Sequence, residues 1–485
     1  MTTTSQGAVP GQRQPELAKV LGTRDVFVAG VALVVASTTL VSDFVGYFSL
    51  GLAFAMAIAV AFVINLLLGL SASELAVAYP RAGAIYEYGR DALGGVGGRL
   101  TGLFLGITFI GMYMLALTGE TAAGAFGLQA LFNGESGINW YIVVLVVLAA
   151  IPNIFGIRVA AWVMGGLLIG MLAIRWLFGL AGFLGVGDQG SWSSDNLDTG
   201  GAGLWDWFGD GGLLASGLVL AFWTFVGIEF ACSLTEEVKD PRRAMPRGIL
   251  LGLVVILGTS WLMGLGVAGT TPESGGTWAE AALGAAGCDG SCPQLAVGEE
   301  MFGGTGRGLM ALASVFATLG SLVVSFAAIP RLIFGIARNG EFFGPGLSQV
   351  FARLHPTWRT PVVAIVAFVA GSTVLAMFSN DVVDWIFSGA YVWILIYVSF
   401  HLLALAKRIL RPGEDEVFGQ WFIAVPILGA VTTLIALHYA FAGVHGDYLP
   451  RALIVLGVAA AATLLDFAVS QRRGRRAPAV ADASP

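Results

Sequence analysis

The sequence predicts an all-α polytopic membrane protein, and three observations carry that prediction. Of 485 residues, 56% are hydrophobic and only 12% are charged, about half the charged share of an ordinary soluble domain. Mean hydropathy is +0.82, and apolar stretches of roughly 20 residues, the length that crosses a bilayer, recur along the chain. Glycine contributes 68 residues, about twice ordinary usage, as close helix packing in lipid favours. A water-soluble chain could not cover that much apolar area with so few charges. Disorder needs low hydrophobicity, which is the opposite of what stands here. A net charge of −6 and a pI near 5.3 speak against a nucleic-acid partner. Three cysteines make no disulfide framework.

Twelve transmembrane helices are expected, near 26–46, 50–73, 99–120, 138–156, 159–186, 211–234, 248–269, 308–333, 361–378, 383–406, 419–441 and 450–470. The third is open to continuation as far as Phe132, and the first is interrupted by Ser37, Thr38, Thr39, Ser42 and Asp43. The first 25 residues are polar and contain no apolar h-region, so no cleaved signal peptide is expected. Basic residues test the count. With both termini cytoplasmic, 22 of the 25 lysines and arginines fall in the tails and inner loops, and only Arg175, Arg307 and Arg451 do not. That is the positive-inside asymmetry, and one missed or extra helix would scramble it.

The expected outer loops are acidic instead. Asp188, Asp195, Asp198, Asp206 and Asp210 lie between spans five and six. Glu273, Glu280, Asp289, Glu299 and Glu300 lie between seven and eight. Solvation explains such runs, with weak attraction of cations to the outer mouth as the alternative. Cys288 and Cys292, in CDGSC, share the second of these loops. An oxidising exterior permits a disulfide between them, whereas no nearby His suggests a metal site.

Three stretches carry recognisable patterns. SASELAVAYPRAGAIYEYGRDALGG follows span two, FWTFVGIEFACSLTEEVKDPRRAMPRG runs through span six, and RLIFGIARNGEFFGPGLSQVFARLHPTWRTPV follows span eight. Together they resemble the amino acid–polyamine–organocation (APC) permease superfamily over roughly residues 20–410. The residues that match after helix two are Glu74, Leu75, Ala76, Tyr79, Pro80, Arg81, Ala82, Gly83 and Tyr86, with Ala84 where the pattern has a second glycine. Through helix six they are Phe225, Gly227, Glu229, Glu236, Glu237, Val238, Pro241, Arg243 and Pro246.

The resemblance implies a leucine-transporter-like five-plus-five inverted repeat followed by two helices. It divides the chain into a cytoplasmic tail 1–25, a first repeat 26–186, an outer loop 187–210, a second repeat 211–406, helices eleven and twelve at 407–470, and a cytoplasmic tail 471–485. It also implies a substrate site at the midplane, between unwound parts of helices one and six. Unwound backbone is tolerated at membrane depth only where it lines a cavity or finds partners. A half-helix N-terminus suits a carboxylate and freed carbonyls suit an ammonium, the two ends of an α-amino acid.

Gly227 can open helix six. Helix one departs from the family, which places glycines where this chain has Ala36-Ser37-Thr38-Thr39. Ser37, Thr38 and Thr39 offer hydroxyls that bond freed carbonyls and bend helices. Trp223 matches the place of a substrate cap, although packing alone also explains a tryptophan there. Phe222, Thr224 and Val226 are further lining candidates. A charge inside a span is costly and usually functional. Glu229 matches the family acid linked to gating or proton coupling, while Asp43 and Glu120 are expected near the outer vestibule or an interface. Arg175 is the one basic residue well inside a span, with Glu120 or Glu229 as conceivable partners. Some proton-coupled relatives place a lysine on helix five in the role of a sodium ion. Counting from Gly156 puts that position near Gly170, so no such lysine is expected. At the inner side the match assigns gate contacts to Glu74, Arg81 and the Glu236–Glu237 pair.

The expected function is a secondary active transporter in the plasma membrane, moving amino acids by alternating access. The coupling ion is a proton or sodium, no other cofactor is expected, and uptake and exchange are both open. The missing helix-one glycines keep an amine such as ethanolamine or a polyamine as the alternative substrate, and a channel or transport-inactive scaffold is a weaker one. An enzyme is not expected. Gly185-Val186-Gly187-Asp188 fits an intramembrane aspartyl-protease pattern, but no second acid stands at matched depth to share a proton. Phosphate-loop and zinc-protease motifs are missing as well.

Overall fold

In the computed structural model the described residues are 17–132, 134, 137–198, 213–283, 291–378, 382–443 and 448–474. Cys288, Asp206, Asp210, Asp289 and the outer parts of both tails lie outside them. The described chain is almost wholly helical. Its α-helices are α1 Thr23–Val34, α2 Ser37–Leu50, α3 Leu52–Ala78, α4 Ile85–Leu93, α5 Gly95–Phe132, α6 Ile138–Ile154, α7 Ile157–Leu184 and α8 Leu213–Trp223. They continue with α9 Pro241–Ala268, α10 Pro293–Arg338, α11 Pro345–Phe351, α12 Val362–Ala376, α13 Val382–Leu410, α14 Ala424–Gly443 and α15 Tyr448–Gly474. A 3-10 helix, Ile228–Glu237, follows α8.

Among the described residues, nine helical segments are long and apolar enough to cross a membrane, or ten when α1 and α2, bent by 56° at their break, count as one. The expected twelve therefore exceed what length and composition establish. The difference is α6 and α12, with 17 and 15 residues. At 1.5 Å per residue they reach only about 26 and 23 Å, against a hydrocarbon core of about 30 Å. The third expected span does continue to Phe132 as α5. The eighth is longer than expected, because α10 starts at Pro293 and bends where Phe302 and Gly303 leave helical geometry.

The loops gather at two ends of the bundle. At the basic end, Ala82 and Leu17 donate backbone N–H groups to Glu236, and Arg338 pairs with the same carboxylate. Phe155, just past α6, meets Trp358 there, with ring centroids 5.0 Å apart. At the acidic end, the segment after α7 bonds to the ends of α9 and α10 through Gly190 to Thr271 and Asp188 to Met301. A cavity of about 310 Å³ opens there, lined by Tyr47, Phe48, Trp278, Asp195 and Asp198 among others.

Glycine packing explains part of the composition. Gly179 and Gly182 of α7 let it close on α9, where an added Cβ would stand 2.4 Å from the Leu262 carbonyl oxygen and 2.1 Å from that of Gly266. Close backbone approach of this kind is what small residues supply when lipid gives no hydrophobic drive.

Candidate functional site

The site is built on two interrupted helices. Helix α1 stops at Val34 and α2 starts at Ser37. The linking residues keep negative φ, −77° at Val35 and −66° at Ala36. Any L-residue adopts such angles, so this break needs no glycine. What it does need is partners for the groups it exposes. The N–H groups of Ser37 and Thr38 donate to the two oxygens of Glu120, at 3.0 and 2.9 Å, and the Thr38 hydroxyl adds a third bond at 2.9 Å. Thr318 of α10 donates to the same carboxylate at 2.7 Å. The Thr39 hydroxyl donates to the Val34 carbonyl at 2.5 Å, and Arg175 of α7 donates to the Ala36 carbonyl at 3.2 Å. Hydrogen bonds to a charged group are worth about 1.5–3 kcal/mol each, so these caps hold the break open in one geometry.

The second break lies between Trp223, the last residue of α8, and the 3-10 helix that begins at Ile228. Here the backbone does need glycine. Gly227 has φ +117°, and a Cβ on it would lie 2.1 Å from Leu33 Cδ2. The two breaks therefore touch at Leu33 and Gly227. The Gly227 N–H donates to Glu229 Oε2 at 3.1 Å and to Tyr397 Oη at 3.3 Å. Glu229 in turn accepts from Trp393 Nε1 at 2.6 Å and from the Tyr397 hydroxyl at 2.8 Å.

Between the breaks lies a buried cavity of about 30 Å³, room for about two water molecules. Thr38, Thr39, Trp223 and Val226 line it, together with Tyr113, Glu120 and Trp393. The aromatic walls stand edge to face: Trp223 on Trp393 at 5.7 Å and 82°, and Tyr113 on Trp393 at 5.7 Å and 74°. The Tyr113 hydroxyl is bonded to Ser325 of α10.

Not every expected residue comes to this cavity. Ser37, Gly227 and Glu229 shape its walls without lining it. Asp43 sits further along α2, where its carboxylate accepts from the Thr224 hydroxyl at 2.8 Å and so ties α2 to the second break. Glu74 and Arg81 are apart from the cavity and from each other. Glu74 is buried against Lys407 at 3.1 Å and Arg408 at 2.7 Å, at the end of α13. Arg81 is half exposed and reaches Asp91 at 3.1 Å and Glu87 at 3.5 Å. The contacts that close the basic end run through Glu236, held by Arg338 at 2.8 and 2.9 Å, and through the buried Glu237–Arg331 pair.

Glu120, expected near the outer vestibule or at an interface, stands between helices, where it caps α2 and accepts from Thr318 of α10. The helix-five position near Gly170 faces Phe316 instead of the break. Arg175 is the basic residue that reaches the break, and it interacts electrostatically with both Asp43 and Glu120. Five residues along a helix turn the side chain by about 140°, so a count that is off by that much selects the wrong face. Tyr113, Glu120 and Trp393 were also visible as patterns. Tyr113, Ala116 and Glu120 are spaced i, i+3, i+7 on α5, and Trp393 and Tyr397 are spaced i, i+4 on α13, each set on one face.

Residues 21–462 match the family model described as amino acid permease. The chain belongs to the amino acid permease family of the APC superfamily. It is therefore a membrane transporter and not an enzyme, in a family whose substrates are amino acids or amines. An uncharacterized transporter of Mycobacterium tuberculosis is 26% identical over 468 residues, covering 95% of this chain and 92% of that one. Cationic amino acid transporter 4 of Mus musculus is 26% identical over 388 residues, covering 75% of this chain and 56% of that one. A low-affinity putrescine importer of Escherichia coli is 23% identical over 388 residues, covering 78% of each.

Proposed function

We propose that this permease is a secondary active transporter of the plasma membrane that carries small molecules bearing an ammonium group, amino acids or amines, by proton-coupled alternating access. The observation that carries the reading is the meeting of two helix breaks around one buried cavity, with an aromatic wall and a carboxylate on its surface. Breaks at 35–36 and 224–227 fall in the first helix of each proposed repeat, 26–186 and 211–406, as a five-plus-five inverted repeat requires. Both termini are cytoplasmic in this reading, and α6 and α12 complete twelve crossings. The gathering of arginine-rich loops at one end of the bundle supports that topology.

Alternating access needs a site that is closed to one side at a time. At the basic end the closure is the Glu236–Arg338 and Glu237–Arg331 pairs. Opening there must separate these buried pairs and expose both partners to water together, because a charge left buried without its partner is strongly unfavourable. Trp223 caps the substrate. Glu229, bonded to the Gly227 N–H at the second break, is the proposed coupling acid, because gaining a proton changes which donors it can hold. The relatives named as cationic amino acid transporters and a putrescine importer support an ammonium-bearing substrate.

The test is uptake by the purified chain in proteoliposomes. Saturable uptake driven by an inward proton gradient and abolished by a protonophore is the expected result. Drive by a sodium gradient alone would reject proton coupling, and unsaturable ion conductance would make the chain a channel.

A further inference from the structure

We infer that the substrate is an amine without a carboxylate, and that Glu120 occupies the place a substrate carboxylate would take. The inference rests on the transport reading above and narrows its substrate class. A carboxylate needs N–H donors, and at this break the half-helix N-terminus of α2 is the group that offers them. Here the first two of those donors are already used. Ser37 and Thr38 N–H, the Thr38 hydroxyl and the Thr318 hydroxyl all point at Glu120, two at each carboxylate oxygen. A second carboxylate brought to the same spot would find the Ser37 and Thr38 donors occupied and would stand beside the Glu120 carboxyl.

The same wall suits a cation. Glu120 lines the cavity together with the aromatic side chains of Tyr113, Trp223 and Trp393. An ammonium is attracted to aromatic faces and most strongly where water is excluded. The buried ionisable side chains around the breaks are three carboxyls, Asp43, Glu120 and Glu229, and one guanidinium, Arg175. Arg175 is directed at the Ala36 carbonyl and does not line the cavity, so it steadies the break without meeting the substrate. The larger cavity at the acidic end likewise combines aromatic and acidic lining, with Tyr47, Phe48 and Trp278 as well as Asp195 and Asp198.

The experiment compares pairs that differ only in the carboxylate: ethanolamine with serine, putrescine with ornithine, cadaverine with lysine and agmatine with arginine. Dissociation constants are measured on the full-length chain in nanodiscs, and saturable uptake is followed in proteoliposomes. In the pair of the right length, the decarboxylated member is expected to bind at least tenfold more tightly and to be the one transported. Equal or tighter binding and uptake of the amino acid member would overturn the inference and leave the transport reading standing. Uptake of neither member of any pair by folded protein would remove the transport reading, and the inference with it. Glu120→Gln, which keeps the side-chain volume, should weaken amine binding at least tenfold. Glu120→Ala should shift the amine-to-amino-acid preference towards the amino acid by releasing the α2 donors. An unchanged preference in a folded Glu120→Ala chain would also overturn the inference.

Discussion

The two helix breaks at the centre of this permease solve the same problem in different ways. The break at Val35–Ala36 uses ordinary backbone angles and borrows its caps from two other helices, Glu120 of α5 and Arg175 of α7, with Thr318 of α10 holding Glu120 in place. The break ahead of Ile228 is nearly self-sufficient. It turns on a glycine at φ +117°, whose N–H is held by Glu229 two residues later and by Tyr397 of α13. A helix can therefore be opened by conformational freedom or by external partners. The second route ties the geometry of one break to the packing of the whole bundle, so movement of α5 or α7 must change the α2 N-terminus.

Substitutions at the two breaks sharpen that contrast. Gly227→Ala forces a side chain into a strained φ and against Leu33. It should cost about 3 kcal/mol or more, read as a fall of several degrees in melting temperature with loss of uptake. A stable, active variant would show that the second break does not depend on glycine. Trp223→Ala removes the aromatic wall beside this break and should reduce uptake efficiency about tenfold, by about 1–2 kcal/mol of lost cation contact. Unchanged saturation kinetics would take Trp223 out of the site. Glu229→Gln keeps an acceptor for Trp393 while removing the charge, so expression should hold and the pH dependence of uptake should flatten. A pH profile identical to that of the parent would assign coupling elsewhere.

At the first break, Ala36→Gly should cost less than about 1 kcal/mol, the entropy of a more flexible unfolded chain, because φ at Ala36 is already unstrained. A loss as large as that of Gly227→Ala would erase the contrast. A control lies away from both breaks, at the basic end. Burial raises the Glu341 carboxyl above its ordinary range despite Tyr86, Arg90 and Arg99 beside it. The folded chain therefore keeps that proton to higher pH than the unfolded chain does, and stability falls as pH rises above the ordinary carboxylate range. Glu341→Gln should flatten this fall without moving the pH profile of uptake.

Much of the architecture was legible in the sequence because bilayer thickness and charge sidedness act on every span alike. Span length and the continuation of α5 to Phe132 follow from local composition, whereas the interruption near residue 36 was expected from the family resemblance. Gly227, Trp223 and Glu229 could be singled out because their motif is contiguous. Glu120 and Arg175 could be named as conceivable partners, but their meeting at the first break could not be read from the sequence. Each reaches the first break from another helix, and its meaning depends on rotation about that helix and on how the helices pack. Glu74 and Arg81 share a motif in the chain, yet the fold sends one to α13 and leaves the other at the surface.

By itself the sequence determined a polytopic helical membrane protein, its permease family and a glycine-dependent break in helix six. These are properties of hydrophobicity and of residues adjacent in the chain. Only the tertiary structure decided what closes the glycine-free break in helix one. Buried N–H groups must find acceptors, and the acceptor they find is a carboxylate 82 residues away from Thr38. Whether that end of α2 is open to a substrate carboxylate is thus a matter of packing between helices, which no local pattern encodes.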